Sequence, residues 1–161
     1  MSEQETKLRR QNIEQERGRQ AWKDIGDIKK KNIPALEKEY RSLARGLNAM
    51  IQINGLGQTL GFLKAKGKSD RDKSYYLLLQ HLTEWMQNPD HFKASNNAVM
   101  ESGHDGLLRW ITDEQTSSID YRRATTECLA FGGWLRRFAE AELQEETPGQ
   151  NSTAQTNGEH T

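Results

Sequence analysis

Four histidines, one cysteine and two glycine-rich runs are the residues of this 161-residue chain that invite a catalytic reading. The histidines, His81, His91, His104 and His160, form no H-E-x-x-H pair or other local spacing that would place two imidazoles on one metal ion. His81 borders an apolar helical stripe, which suits a hydrogen-bonded packing residue better than a general base. Cys128 also falls on an apolar stripe, where a thiol acts as a small hydrophobe. The run NGLGQTLG places Gly55, Gly57 and Gly61 one residue out of step with the dinucleotide loop G-x-G-x-x-G, and it follows a helical pattern instead of a strand. The run GFLKAKGKS has five residues between Gly61 and Gly67, where the phosphate loop G-x-x-x-x-G-K-[ST] needs four. Gly55 reads instead as a helix C-cap. Carboxylates are numerous, but at helical surface spacing they define no acid/base pair. No catalytic residue, metal site or cofactor is expected.

The cations form a different pattern. Lys38, Arg41 and Arg45 share a flank of one helix, and Lys64, Lys66 and Lys68 follow in the next helix and its exit. The pairs Arg122/Arg123 and Arg136/Arg137 are 14 residues apart, close to four helical turns, and so lie on one side of a helix about 21 Å from each other. Arginine grips phosphate with two donors and lysine as a point charge, so Arg41, Arg45, Lys64, Lys66, Lys68, Arg122, Arg136 and Arg137 are candidates for contacting a nucleic-acid backbone. The bland alternative is that they pair with Glu37, Glu39, Glu127 and Glu140 at helical spacing.

The elements that must position these groups are helices. Leu36, Tyr40, Leu43, Leu47, Met50 and Asn54 form one helical stripe, opened by Pro34 and closed by Gly55. Leu56, Leu60 and Leu63 define a shorter helix ending at Gly67. Ser69 and Asp72 resemble a capping pair for a third helix through Tyr75, Leu78, Leu82 and Trp85, closed by Asn88-Pro89. Residues 89 to 106 are polar and aperiodic, a long connection before one or two helical turns at Leu107 to Ile111. A last long helix starts at Ser117 or Ser118 and carries Tyr121, Ala124, Cys128, Phe131, Leu135 and Phe138. A weaker stripe, Ala21, Trp22, Ile25 and Ile28, precedes them all. No segment alternates with period two, so the fold class is all-α, a compact bundle of about five to six helices with disordered ends.

Composition sets the limits. The length suits one domain, expected over residues 20 to 143, with a polar and flexible arm at 1 to 19 and a disordered tail at 144 to 161, which has no large apolar side chain. No apolar run approaches the roughly 20 residues needed to cross a bilayer, and the N-terminus lacks a signal-peptide core. With a single cysteine this points to the cytoplasm, without membrane association. Net charge is zero, yet residues 1 to 68 carry +7 and residues 69 to 161 carry −7. That split suits a basic face for an anionic partner, an acidic face for a basic protein neighbour, or two solvated surfaces.

The segments YRSLARGLNAMIQINGLGQTLGFLKAKGK (40 to 68) and YRRATTECLAFGGWLRRFAEAEL (121 to 143) resemble the two signature blocks of the small helical subunit of type III-B CRISPR (RAMP module) effector complexes, and YYLLLQHLTEW (75 to 85) resembles its middle helix. The likeness covers about residues 20 to 143. It implies an all-α subunit without catalytic residues, several copies of which stack beside a filament of backbone subunits, near the large subunit, in antiviral RNA-targeting complexes. It also implies contacts with the backbones of guide RNA and target RNA. The family's RNA-contacting positions vary, so the choice of cations above rests on helical facing. The alternative is a helical protein–protein adaptor without RNA contact; an enzyme on a helical scaffold would need a cluster assembled from distant segments.

Overall fold

The computed structural model describes residues 1–146, without the side chains of residues 9–11. Six helices and no strand occur among the described residues, in agreement with the all-α expectation. The part of the expected tail from residue 147 on, with His160, lies outside the described residues.

Helix α1 spans Glu3–Lys30, so residues 3 to 19, expected as an arm, continue the helix that the weaker stripe announces at residue 20. Its start is a capping box: Ser2 Oγ accepts from Glu5 N–H at 3.3 Å, and the Glu5 carboxylate accepts from Ser2 N–H at 3.1 Å. Gly18, Ala21, Ile25 and Ile28 make the inward stripe, while Trp22, placed on that stripe by sequence, is 53% exposed. After a turn through Asn32 (φ 53°), Pro34 opens helix α2 (Pro34–Asn54). Its buried stripe is Leu36, Tyr40, Ala44, Leu47 and Ile51; Leu43 and Met50 are half-buried and Asn54 is exposed. The expected stripe favoured the bulkier side chains, but α2 lies between α4 and α6, and a small residue at 44 permits that close fit.

Gly55 (φ 85°) ends α2, its N–H donating to the Ile51 carbonyl at 2.8 Å, and opens helix α3 (Leu56–Gly67). Gly67 abuts the first turn of helix α4 (Ser74–Gln87): a Cβ there would stand 2.6 Å from the Tyr76 amide nitrogen. The expected cap of α4 is corrected. Lys73 is the N-cap and makes no side-chain cap, while the Asp70 carboxylate accepts from Asp72 N–H at 3.0 Å within the preceding turn. Helix α4 is buried on nearly every side, from Tyr76, Leu77, Leu78 and Leu79 to Leu82, Trp85 and Met86, and so forms the centre of the bundle.

The connection from 88 to 105 is irregular as expected, yet anchored. Phe92 and Ala94 are buried, and Ser95 donates from N–H and Oγ to Asp120 Oδ2 at 2.9 and 2.7 Å. It leads into the short helix α5 (Gly106–Ile111) and then helix α6 (Ser118–Glu142), where Ser117 Oγ caps Asp120 N–H at 3.1 Å. Ala124, Cys128, Phe131, Leu135 and Ala139 face inward, and α6 packs against α1 on one side and α2 on the other. Asn48 donates to the Leu129 carbonyl at 3.0 Å, and a Cβ on Gly132 would collide with the Asn48 side-chain oxygen.

Candidate nucleic-acid interface

The described histidines, the cysteine and the glycine run singled out by the sequence are engaged in packing. The Tyr40 hydroxyl and His81 Nδ1 lie 2.7 Å apart between α2 and α4 with both side chains buried, and burial lowers the His81 pKa to about 3, so the imidazole is neutral. His91 stacks on Trp85 at 3.6 Å between ring centroids and reaches Glu16 at 3.1 Å. His104 stacks on Tyr76 at 3.9 Å, and burial first, then the Lys64 charge, lowers its pKa. Cys128 is fully buried and its thiol pKa is pushed up by burial. Gly57 belongs to a packing contact, its N–H donating to the Tyr121 hydroxyl at 2.9 Å. Among the described residues, no group of three or more His, Cys, Asp or Glu side chains is placed to hold a metal ion, and no helix is long and apolar enough to cross a membrane.

Three positions hold seven of the eight candidate cations; the eighth, Arg137, is exposed on α6 without an ion pair among the described residues. Along the α2–α6 seam, Arg41 lies 3.8 Å from Glu145 and Arg45 lies 3.9 Å from Glu140, while Arg136 Nε donates to the same Glu140 at 3.1 Å. The antiparallel run of α2 and α6 thus brings Arg45 and Arg136 to one carboxylate although 91 positions separate them. The two α2 pairs are too long for hydrogen bonds, and their guanidinium donors are not engaged by the carboxylates. Arg41 is mostly covered, its side chain only 16% exposed, and its Nε is buried without a partner.

At the far end of α3, Lys64 binds Asp105 at 3.1 Å and approaches His104 Nε2 at 3.4 Å. Burial alone would raise the Asp105 pKa, but the Lys64 hydrogen bond and the charges of Lys64 and Arg109 outweigh it and hold the carboxyl below its usual range. Arg109 bonds Glu101, the Ser102 carbonyl and Asp105, so Lys64 helps tie down the end of the long connection. Lys66 and Lys68 are exposed beside it, without an ion pair among the described residues. The third position is Arg122, exposed near the start of α6, equally without an ion pair among the described residues; its neighbour Arg123 instead bonds Asp120 and the Lys93 carbonyl and lies over Phe92.

The expected helical pairing of these cations holds for Arg136 and Glu140, an i, i+4 pair. It does not hold for Glu127, which is taken by Arg17, or for Glu37, which accepts from Gln144 N–H at 3.4 Å. Sequence reasoning also missed an exposed aromatic group where α1 meets α6. Trp22 and Phe138 meet edge to face at 5.1 Å, and Trp134 lies 5.6 Å from Phe138. Its signal was a tryptophan one position off the Gly18, Ala21, Ile25 and Ile28 stripe. The family model described as CRISPR-associated protein (Cas_Cmr5) matches residues 13–142, nearly all of the bundle.

Proposed function

Because the chain belongs to the CRISPR-associated Cas_Cmr5 family, the small subunit of type III-B complexes, we propose that it serves as a non-catalytic subunit that contacts RNA through phosphates. In this reading it stacks with further copies of itself beside the backbone and large subunits in the cytoplasm, along guide RNA and its paired target RNA, in antiviral defence. The observation that carries the RNA contact is the state of the cations. Lys66, Lys68, Arg122 and Arg137 are exposed and have no carboxylate partner among the described residues, and Arg45 and Arg136 share one carboxylate between two guanidiniums. An exposed pair contributes at most about 1 kcal/mol, so a phosphate can displace Glu140 at little cost. Arg41 and Lys64, both more enclosed, contribute mainly by holding these positions.

A second reading, an adaptor that meets only proteins, is favoured by the carboxylates within 4 Å of Arg41, Arg45, Lys64 and Arg136. Reconstituting the complex with Lys66/Lys68 and Arg136/Arg137 changed pairwise to alanine separates the two. Each lost phosphate contact lowers the salt dependence of target binding by about 0.7 in log–log slope on a single strand. Unchanged slopes in both variants, with helicity intact, would leave the adaptor reading.

A further inference from the structure

The surface where α1 meets α6 presents aromatic rings inside a border of cations. On α1, Arg19, Trp22, Lys23 and Gly26 follow one another at i, i+3, i+4 and i+7 and so share one stripe; the first three are exposed. On α6, Trp134, Arg137 and Phe138 form a matching stripe, with Arg137 exposed and both rings half-buried. The edge-to-face contact of Trp22 with Phe138 joins the two stripes. Gly18, four residues before Trp22, is covered by Trp134, which a Cβ there would meet at 3.3 Å. Gly26, four residues after it, has nothing within 4 Å of the place a Cβ would take. The indole, 53% exposed, is therefore left open on that side.

Cations outnumber carboxylates around the rings, although the exposed Asp27 lies one turn beyond Lys23. Arg19, Lys23 and Arg137 have no ion pair among the described residues, and the carboxylate of Glu142, four residues beyond Phe138, is held by Lys29 at 2.9 Å. An apolar protein partner gains nothing from such a border, whereas a polyanion with flat π faces gains from both parts of it. We propose that Trp22, backed by Phe138 and Trp134 and flanked by Arg19, Lys23 and Arg137, is a stacking platform for bases of single-stranded RNA. It rests on the reading that this chain meets RNA, but it engages bases in place of phosphates and uses the α1 face, away from Lys66 and Lys68. Every base offers a π face, so the platform binds with little sequence preference.

The test uses the full-length chain at low salt, titrated with a short mixed-sequence RNA strand and with an abasic strand of the same length and charge, read by tryptophan fluorescence and by a labelled strand. The base-bearing strand is expected to quench the fluorescence and bind more tightly than the abasic one. Trp22→Ala is expected to weaken only the base-bearing strand, by about tenfold, and Trp22→Phe to retain most of the affinity. Arg137→Ala is expected to weaken both strands. Equal affinity of the wild-type chain for the two strands, or a base-bearing strand unaffected by Trp22→Ala, overturns the platform while leaving salt-dependent phosphate binding intact. Loss of self-association in place of RNA affinity in Trp22→Ala also overturns it, in favour of a second copy on this face. Absence of binding of either strand by the wild-type chain at low salt would instead remove the RNA reading beneath it, and the platform with it.

Discussion

Arg17 of α1 donates from Nε and Nη2 to the two carboxylate oxygens of Glu127 on α6, at 2.8 and 2.7 Å. The indole N–H of Trp85 on α4 donates to the same carboxylate at 2.9 Å, so one glutamate joins three helices. The pair is only 19% and 12% exposed, and such a fork is stronger and more directional than a surface ion pair.

Arg17→Ala leaves a mostly buried carboxylate with a single donor. It is expected to lower the unfolding free energy by about 2 kcal/mol. Urea denaturation followed by circular dichroism measures this, and a change below about 0.5 kcal/mol would show that the fork is not an anchor.

Two buried groups give stability opposite pH slopes. Burial first, then the nearby Glu84 and Asp27 charges, outweigh the Gln20 hydrogen bond and raise the Asp24 pKa from 3.8 to about 7, so its contribution is present at low pH and is lost as pH rises through about 7. The His81 pKa is lowered from 6.5 to about 3, so its contribution is present above about pH 6.5 and is lost as pH falls through about 3. Between about pH 4 and 6.5 the slopes oppose each other. Asp24→Asn is expected to exceed the wild-type urea midpoint at pH about 8, since it removes a buried charge whose Oδ2 has no partner. It should also show a midpoint that falls as pH drops from about 6.5 to 4, the His81 slope unmasked.

The two glycines of the phosphate-loop lookalike differ in role. Gly61→Ala, with open space around the new Cβ inside α3, is expected to stabilise the chain by about 0.5–1 kcal/mol. Gly67→Ala drives a Cβ against the Tyr76 backbone, which cannot step aside as a side chain could, and is expected to cost about 2 kcal/mol or more. Thermal melts of both variants decide; two variants shifted the same way would contradict the packing described.

Glu140→Gln weakens the hold on Arg136 and removes the carboxylate charge beside Arg45. In the reconstituted complex it is expected to raise target affinity several-fold at low salt and to steepen the salt dependence, with stability changed by less than about 1 kcal/mol. Unaltered affinity would mean that these two guanidiniums face away from RNA.

Helical periodicity determined much of this protein in advance. The steps along α6, Pro34 at the head of α2 and Gly55 at its end are local facts, because a turn of 3.6 residues and a residue's own backbone preference need no distant partner. The burial of His81 and Cys128 was legible for the same reason, since both lie on or beside apolar stripes. The first half of α1 was not, as its polar residues carry no stripe; its capping box Ser2-x-x-Glu5 was the signal passed over, and its anchor is a glutamate 110 positions away. The shift of the α2 stripe to Ala44 and Ile51 likewise came from two neighbouring helices. The cations show the division most clearly. Spacing alone puts Arg41, Arg45, Arg136 and Arg137 on helix flanks, but which of them faces a carboxylate depends on how α2 and α6 run past each other. Periodicity records which side of a helix faces inward; only packing decides what that helix meets, because a contact between helices is a property of two surfaces and one stripe encodes only its own.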